Sequence, residues 1–424
     1  MTFATRVVLA LLVLSLLAGV FTGQPLYFRL SYLWVGVLGV SALMSWMALR
    51  GVRVKRQARF LRSQVGQVFE ERYEIENRSR WPRLWLEVRD QSTLPGSHGS
   101  HVLTLVGGRE SRTYLARTRL VERGVFALGP TMLVSGDIFG LFPVSKTFPV
   151  QESLLVYPMM VDVRAFPNPP GLLPGGEALR RRTPQITSNA AGVRDYAPGD
   201  PLNRIHWAST ARRDRLMVKE FELDPLAEVW LFVDAALAVQ AARPYALPEF
   251  DPRDFWRKKV KFDLPPSTLE YGVTVAASLG RYYLQKGRAV GLAAADQSLQ
   301  VLPSDRGGRQ LGKILETLAL LRGVGHLPLE GLVEAQARHL PRGSTAVLIT
   351  PSTSDTVFKS ADLLMRRGQR PVVVLLDSVS FGGYFNSDGI ASSLAALNIP
   401  HCQVRAGDDL GLVLSGTVGM PQVG

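Results

Sequence analysis

The fold class is decided by residues 345–376, which read TAVLITPSTSDTVFKSADLLMRRGQRPVVVLL. Apolar residues dominate 345–349 and 372–376, while 355–367 carries an apolar stripe at helical spacing. Short apolar runs on either side of an amphipathic helix are the pattern of a β-α-β unit. Because both runs are apolar at nearly every position, we expect strands that are covered on both faces, as in a parallel sheet. The stretch therefore predicts an α/β fold.

The same alternation continues through the carboxyl-terminal half of the chain. Apolar runs predict strands at 229–233 and 289–294, and periodic runs predict helices at 269–285, 309–321 and 329–339. The helix at 309–321 is expected to begin in a Gly-rich turn. That turn resembles a phosphate-binding loop but lacks the Ser or Thr that would bind magnesium. We assign residues 226–424 to one Rossmann-like α/β domain.

The amino-terminal end contains two apolar runs, 7–21 and 31–49. A helix over the second run spans about 28 Å, close to the thickness of the hydrocarbon core of a bilayer. We predict that residues 1–50 form a two-helix transmembrane hairpin. A cleaved signal peptide is the alternative for the first run, since Arg6 provides a minimal charged leader.

Basic residues flank this hairpin unevenly. The loop between the runs carries only Arg29, whereas the second run is followed by a basic collar, which consists of Arg50, Arg53, Lys55, Arg56, Arg59 and Arg62. The positive-inside rule then places both termini and the soluble domains in the cytoplasm, on a multi-pass protein of the cytoplasmic membrane. We expect anionic lipid headgroups to bind near Arg50, Arg53, Lys55, Arg56 and Arg59.

The formal net charge of +13 favours anionic partners in general. Nucleic acid is one such partner, but no recognised base-reading module accompanies the basic residues, so we predict no nucleic-acid binding. The single cysteine, Cys402, excludes an internal disulfide and fits a reducing compartment. The chain shows no strong catalytic constellation, and we predict that it is not an enzyme and has no cofactor.

Residues 51–160 alternate apolar and polar side chains with a period of two. Tyr73 and Ile75 alternate with Glu74 and Glu76, as in a half-buried strand, and turn signals recur between such runs. This pattern predicts a small antiparallel β-sandwich.

Residues 161–225 comprise a linker rich in Pro, Gly and Arg, followed by a basic motif. The motif, residues 192–222, reads GVRDYAPGDPLNRIHWASTARRDRLMVKEFE. We predict that it forms a docking surface, whose residues are Arg194, Tyr196, Gly199, Asp200, Arg204, His206, Trp207, Arg212, Arg213, Arg215 and Glu220.

Two interpretations of this motif remain open. In the first, Asp200 accepts hydrogen bonds within its own turn and pairs with an arginine, Trp207 packs under the segment, and Glu220 offsets the arginine charge. The motif is then a rigid docking surface. In the second, Asp200 and His206 serve a hydrolase or transferase that acts on an anionic substrate at the membrane.

The motif and two shorter stretches resemble the bacterial family called domain of unknown function 58. The spacing Tyr-x-x-Gly-Asp-x-x-x-Arg-x-x-Trp is the most distinctive feature, and the other stretches are 123–130 and 137–142. The resemblance implies a membrane-anchored protein with a von Willebrand factor A-like domain at its carboxyl end. It also implies a MoxR-type AAA+ ATPase as partner and, as a second partner, a transglutaminase-like membrane protein.

An A-type domain would carry a metal site in the loop after its first strand. The expected pattern is Asp-x-Ser-x-Ser, because a hard cation prefers carboxylate and hydroxyl oxygens. Here the chain reads Asp234-Ala235-Ala236-Leu237-Ala238, and Thr350 and Pro351 stand where a second acid is expected. We predict a degenerate site without metal, in which Asp234 caps a helix or bonds to a neighbouring loop.

These expectations combine into one functional hypothesis. The chain is a membrane-anchored, non-enzymatic adaptor or scaffold that docks a MoxR-type ATPase, a client protein, or both. The hydrolase or transferase is the alternative.

Overall fold

The computed structural model describes residues 2–149, 152–166, 190–198, 205–221, 228–246 and 262–416 of the 424-residue chain. Most of the predicted linker, part of the motif and residues 247–261 lie outside the described residues. The chain divides into two compact units, which are residues 1–159 with 245–263, and residues 160–244 with 264–424.

The first unit begins with two apolar helices, α1 (Phe3–Thr22) and α2 (Pro25–Ala48). The side chain of Thr2 caps α1, Gly23 ends it with a left-handed conformation, and Pro25 begins α2. Both helices are long and apolar enough to cross a membrane. The prediction of two such helices is confirmed, and each begins earlier than its uncharged core because a single arginine does not interrupt a helix.

Strands make up the remainder of the first unit. They are β1 (Val52–Ala58), β2 (Arg62–Gln64), β3 (Val68–Asn77), β4 (Arg83–Asp90), β5 (His101–Val106), β6 (Ser111–Arg119), β7 (Gly124–Leu128), β8 (Thr131–Ser135), β9 (Val144–Phe148) and β10 (Glu152–Tyr157). They form sheets with the orders β1-β3-β6, β5-β4-β8-β9 and β2-β10-β7. All pairs are antiparallel except β2 with β10.

One core cluster joins the first two of these sheets. Tyr73 and Ile75 on β3 pack with Leu86 and Val88 on β4, while the intervening Glu74 and Glu87 are not buried. The alternation in the sequence thus selects the buried face of each strand. A separate cluster around Phe69 and Leu154 covers the sheet that contains β10.

The second unit contains a small two-stranded sheet and a large sheet covered by helices. Its elements are β11 (Ala190–Asp195), α3 (Trp207–Arg213), β12 (Met217–Phe221), β13 (Val229–Val233), α4 (Thr268–Gln285), β14 (Val290–Ala295), β15 (Leu299–Asp305), α5 (Gly308–Leu320), α6 (Leu329–Ala337), β16 (Thr345–Thr350), α7 (Thr356–Arg366), β17 (Arg370–Leu376), α8 (Asp388–Ala396), β18 (His401–Val404) and α9 (Leu410–Ser415).

The large sheet has the order β15-β14-β13-β16-β17-β18. Strand β15 runs antiparallel to β14, and the other neighbours are parallel. Helices α6, α7 and α8 share a core with one face of the sheet, and α4 packs on it as well. After β13 the chain forms β14 and β15 on one side of β13, and it then forms β16, β17 and β18 on the other side of β13. The carboxyl ends of β13 and β16 therefore meet at the switch point of a doubly wound sheet, where such folds place their ligands.

The strands and helices predicted from apolar runs are confirmed to within a few residues at each end, including β16, α7 and β17. Strands β15 and β18 were not predicted. Both lie at the edges of the sheet, and β15 contains Pro303 and has no buried residue, so neither carries a continuous apolar signal.

Candidate functional site

The described part of the motif is a small antiparallel element built on β11 and β12. Arg194 pairs with Val218, and Ile205 forms a bridge to Val218 from the other side. Ile205, Met217 and Val218 are buried, so they form the apolar base of the element.

His206 begins helix α3 as its N-cap. Its Nδ1 accepts a hydrogen bond from the backbone N–H of Ser209 at 3.2 Å and lies 2.7 Å from the Ser209 hydroxyl. The backbone N–H of His206 donates to the carbonyl of Met217 at 2.8 Å. The Nδ1 atom of His206 is therefore engaged within the cap of its own helix. This geometry gives His206 a structural role at the start of the helix.

Trp207 is 68% exposed, so the expectation that it packs under the segment is wrong. It is the first residue of α3, and the buried positions beneath the helix belong to Ile205, Met217 and Val218. An exposed tryptophan beside a rigid turn is a feature of protein interfaces, where its large amphipathic surface becomes buried on binding.

The arginines of the motif lie at the other end of α3. Arg212 and Arg213 occupy its last turn, and Asp214 turns the chain with a φ of 49°. Arg215 pairs with Asp195 at 3.0 Å, and both side chains are more than half exposed. Such a pair stabilises the fold by less than about 1 kcal/mol. The arginines are therefore available on the surface.

Three motif residues, Gly199, Asp200 and Arg204, lie outside the described residues. Arg194 and Glu220 have described backbones on β11 and β12, but their side chains are outside the described part. What the structure brings together on this element is Tyr196, His206, Trp207, Arg212, Arg213 and Arg215. The docking role of the whole set stays a prediction.

Asp234 lies at the switch point, directly after β13. One carboxylate oxygen accepts from the Thr350 hydroxyl at 2.7 Å, and the other accepts from the backbone N–H of Ala236 at 3.2 Å. Burial raises the pKa of Asp234, and these two hydrogen bonds only limit the rise. The predicted bond from Asp234 to a neighbouring segment is thus present.

The residues around Asp234 do not fit a metal ion. Both carboxylate oxygens already accept hydrogen bonds, and Ala236 and Ala238 supply no side-chain oxygen. Across the described ranges, no three His, Cys, Asp or Glu residues cluster in a way that could hold a metal.

Exposed apolar side chains lie on the two segments that follow β13 and β17. Leu237 follows Asp234, and Val379, Tyr384 and Phe385 belong to the segment between β17 and α8; all four are exposed. Together they form what we call the carboxyl-edge patch. Sequence reasoning missed it, and the only signal was a pair of aromatics in a Gly-rich turn after a predicted strand.

Two interactions fix the segment that carries the aromatics. The Ser387 hydroxyl donates to Asp377 at 3.2 Å, and Arg243, from the loop that follows β13, donates to the carbonyl of Val379 at 3.4 Å. The two loops that carry the carboxyl-edge patch are therefore held side by side at this end of the sheet.

A family model described as "Protein of unknown function DUF58" matches residues 192–242. Residues 192–242 are thus similar to this family. The match covers the motif element, β13 and Asp234, and it confirms the resemblance to that family. The family description assigns no activity to the segment.

One curated relative shares most of the chain. The uncharacterized protein YeaD of Bacillus subtilis (strain 168) is 23% identical over 268 residues, which are 63% of this chain and 60% of the relative. The chain therefore matches about 60% of the length of that relative.

Solved structures match only distantly. The CARDB domain of the PF1109 protein from Pyrococcus furiosus is 10% identical, with a TM-score of 0.18, over 25% of this chain and 91% of that domain. The cupredoxin domain of amoB from Nitrosocaldus yellowstonii is 9% identical, with a TM-score of 0.18, over 25% and 87%. Scores this low support no inference about fold or function.

Outside residues 192–242, the structure corrects one expectation about the basic collar. Arg56 is not available to lipid, because its guanidinium is buried and paired with Glu71 at 2.6 Å and with Asp90 at 2.9 Å. The pairing of β1 with β3 brings Glu71 beside Arg56, and Asp90 comes from the end of β4.

The same pairing supplies acidic neighbours for other members of the collar. Lys55 lies 3.8 Å from Glu74, and Arg59 lies 3.3 Å from Glu70. Arg50 instead lies over the ring of Trp46, 3.4 Å from its centroid, at the end of α2. Among these residues, Arg50 is thus the one held at the end of α2.

Proposed function

We propose that this chain is a membrane-anchored, non-enzymatic adaptor whose second unit docks a protein partner on the cytoplasmic side. The observation that carries the proposal is the carboxyl edge of the large sheet. There Asp234 is closed by internal hydrogen bonds. Leu237, on the segment after β13, and Tyr384 and Phe385, on the segment after β17, are exposed. A site that binds small polar ligands presents free polar groups, whereas exposed aromatics suit a protein surface.

Helices α1 and α2 support the anchoring. Each is apolar over a length that matches the bilayer, and the basic residues concentrate after α2 rather than between the helices. On this basis the chain crosses the membrane twice, and both termini and both units lie in the cytoplasm.

The sheet order of the second unit supports a von Willebrand factor A-like domain. Numbered from β13, the order is 3-2-1-4-5-6, with an antiparallel strand at one edge and helices packed on the sheet. We propose an A-like domain that binds its partner without a metal ion. The alternation of apolar strands in the first unit similarly supports a sandwich that links anchor and adaptor.

The partner class follows from the family resemblance, which implies a MoxR-type AAA+ ATPase. A transglutaminase-like membrane protein is the proposed client or second partner. Two surfaces are available for them, the carboxyl-edge patch and the motif element with its exposed Trp207 and arginines.

The test is capture of a MoxR-type ATPase from the same bacterium by the full-length chain in detergent, with and without ATP. We expect nucleotide-dependent association that is lost in Trp207→Ala and in Arg204→Ala. Trp81→Ala is the matched control, because Trp81 is 64% exposed against 68% for Trp207 but lies in the first unit. Association that survives both motif substitutions would refute docking through the motif.

The alternative is a hydrolase or transferase that uses Asp200 and His206. The N-cap bonds of His206 make it the weaker proposal, since they engage Nδ1 within the helix cap and give this side chain a structural role. Turnover of an anionic substrate by the purified chain, abolished in His206→Ala, would favour it over the adaptor.

A further inference from the structure

The stretch Asp137-Ile138-Phe139-Gly140-Leu141-Phe142 resembles the family, but the adaptor proposal gives it no role. It forms the connection between β8 and β9, and we call residues 136–143 the Asp137 loop. Asp137 is buried, and its carboxylate accepts hydrogen bonds from the backbone N–H groups of Phe139, Leu141 and Phe142 at 3.0, 3.1 and 2.7 Å. The carboxylate thus organises the loop from inside.

Two glycines allow the chain to follow this path. Gly140 has a φ of 68°, a conformation that other residues rarely adopt. A Cβ on Gly136 would lie 3.1 Å from the carbonyl oxygen of Phe142, so a side chain there would crowd the loop where it closes. The loop therefore has one well-defined shape.

Hydrogen bonds fasten this loop to the ends of both apolar helices. The hydroxyl of Thr5, in the first turn of α1, donates to the carbonyl of Leu141 at 2.5 Å. The hydroxyl of Ser45, in the last turn of α2, donates to the carbonyl of Phe142 at 2.5 Å. The loop backbone consequently lies at the level of the terminal turns of the two helices, within one helical turn of where each ends.

The loop exposes its most apolar tip at that level. Leu141 is buried, whereas Ile138 and Phe139 are 62% and 56% exposed. Phe3 and Trp46 are also exposed at the same helix ends. Aromatic side chains at the ends of membrane spans lie at the headgroup level, and apolar side chains next to them enter the boundary between headgroups and acyl chains.

We propose that the Asp137 loop is a third membrane contact, which inserts Ile138 and Phe139 into the headgroup–acyl boundary of the cytoplasmic leaflet. The occupant of this apolar surface is lipid because the surface is continuous with the ends of two helices that cross the bilayer. The inference rests on the membrane anchoring in the proposed function, and it adds a fixed point that sets how the first unit stands on the membrane.

The experiment uses the full-length chain in vesicles of phosphatidylcholine and phosphatidylglycerol. A fluorescent NBD group is attached at Phe139→Cys, and quenching by lipids with a nitroxide near the headgroup is compared with quenching by a nitroxide near the acyl-chain end. The native Cys402 does not interfere, since burial raises its pKa to about 12 and leaves the thiol unreactive.

Two further positions make the result interpretable. Val125→Cys is the matched control, because Val125 is 53% exposed and lies on β7, which belongs to a different sheet from the two strands that flank the loop. Leu14→Cys, at an exposed position in the middle of α1, reports on the anchoring itself. Ile138→Cys provides a second loop position in case one label disturbs folding.

We expect the shallow nitroxide to quench the probe at residue 139 severalfold more strongly than the probe at residue 125, and the deep nitroxide to quench the probe at residue 14. Quenching at residue 14 without quenching at 138 or 139 would overturn the loop contact and leave the anchoring intact. Absence of quenching at residue 14 would refute both the membrane anchoring and the loop contact. A loop probe that is shielded from iodide but not quenched by lipid would show that protein covers the loop, and would also overturn the inference.

Discussion

Two buried aspartates, each just after a strand, behave in opposite ways in this molecule. Asp137 follows β8 and accepts three backbone N–H groups, whereas Asp234 follows β13 and accepts one N–H group and one hydroxyl. Burial by itself raises the pKa of both. At Asp137 the backbone donors outweigh burial and lower the pKa, but at Asp234 burial prevails and the pKa is raised.

The comparison shows that the number of donors, not burial alone, decides whether an enclosed carboxyl group stays charged. A charged Asp137 can hold a loop together, because hydrogen bonds from N–H groups to an ionised carboxylate are stronger than those to a neutral acceptor. Asp234 has too few donors to compensate for lost solvation, and it serves instead to join β13 to the end of β16. The same residue type thus organises a loop in one unit and closes a sheet edge in the other.

Asp137→Ala is expected to have the largest effect. It leaves one buried and two part-buried N–H groups without an acceptor. An unsatisfied buried group costs about 1–3 kcal/mol and a part-buried one less, so we expect the first unit to lose about 3 kcal/mol of stability. Thermal unfolding in detergent micelles measures this loss. Asp137→Asn is the control, since one retained oxygen can still accept from Phe139 and Leu141, and it should lose less. Equal melting of wild type and Asp137→Ala would contradict the assigned role.

The pH dependence of unfolding should separate the two aspartates. The pKa of Asp137 is lowered on folding, so its contribution to stability is complete above its ordinary value of about 4 and is lost as the pH falls through the lower folded value. The pKa of Asp234 is raised, so its contribution is complete below about 4 and is lost as the pH rises through the folded value.

Melting curves across pH check this prediction. Asp137→Asn should flatten the loss of stability on the acid side, and Asp234→Asn should flatten the decline that begins above about pH 4. If both substitutions changed the same limb of the profile, the contrast between the two sites would be wrong.

Thr350→Val should have an intermediate effect. It removes the hydroxyl that donates to Asp234 and that also accepts from the N–H of Ser352 at 2.9 Å. At about 1 kcal/mol per net hydrogen bond, we expect a loss of about 2 kcal/mol in the second unit. Thr356→Val, at the start of α7 on the same side of the sheet, is a matched control. A loss as large in the control would show that the effect is not specific to Asp234.

The sequence predicts some of these features and not others, for physical reasons. Strands such as β13 and β16 are apolar at nearly every position, so a local pattern suffices to find them. The pairing of Arg56 with Glu71 depends on the register of β1 and β3. The spacing of charged residues along a single strand does not reveal that register. Trp207 was expected to be buried, but it is exposed. The sequence of a charged segment does not show which of its residues, here Ile205, Met217 and Val218, will fill the buried positions.

The Asp137 loop lies between these extremes. Its sequence shows a strand end and a turn, and the resemblance marks it as part of the family. The three N–H donors converge on the carboxylate only after Gly140 has adopted its positive φ, and Thr5 and Ser45 come from segments far away in sequence. Local patterns therefore locate the loop, but its place at the helix ends requires the tertiary structure.

Asp234→Asn combined with added Mg²⁺ should give the smallest effects. An amide that keeps the bond to the N–H of Ala236 should change stability by less than about 1 kcal/mol below about pH 4, where the carboxyl group is protonated in both the folded and the unfolded state. Mg²⁺ or a chelator should leave the melting temperature of the wild type unchanged, because an ion that binds the folded state must raise it. A rise with Mg²⁺ that disappears in Asp234→Asn would mean that the carboxylate exchanges Thr350 for a metal. The conclusion that the Asp234 site is closed and binds no metal would then be wrong. The difference in the number of hydrogen-bond donors between Asp234 and Asp137 would remain.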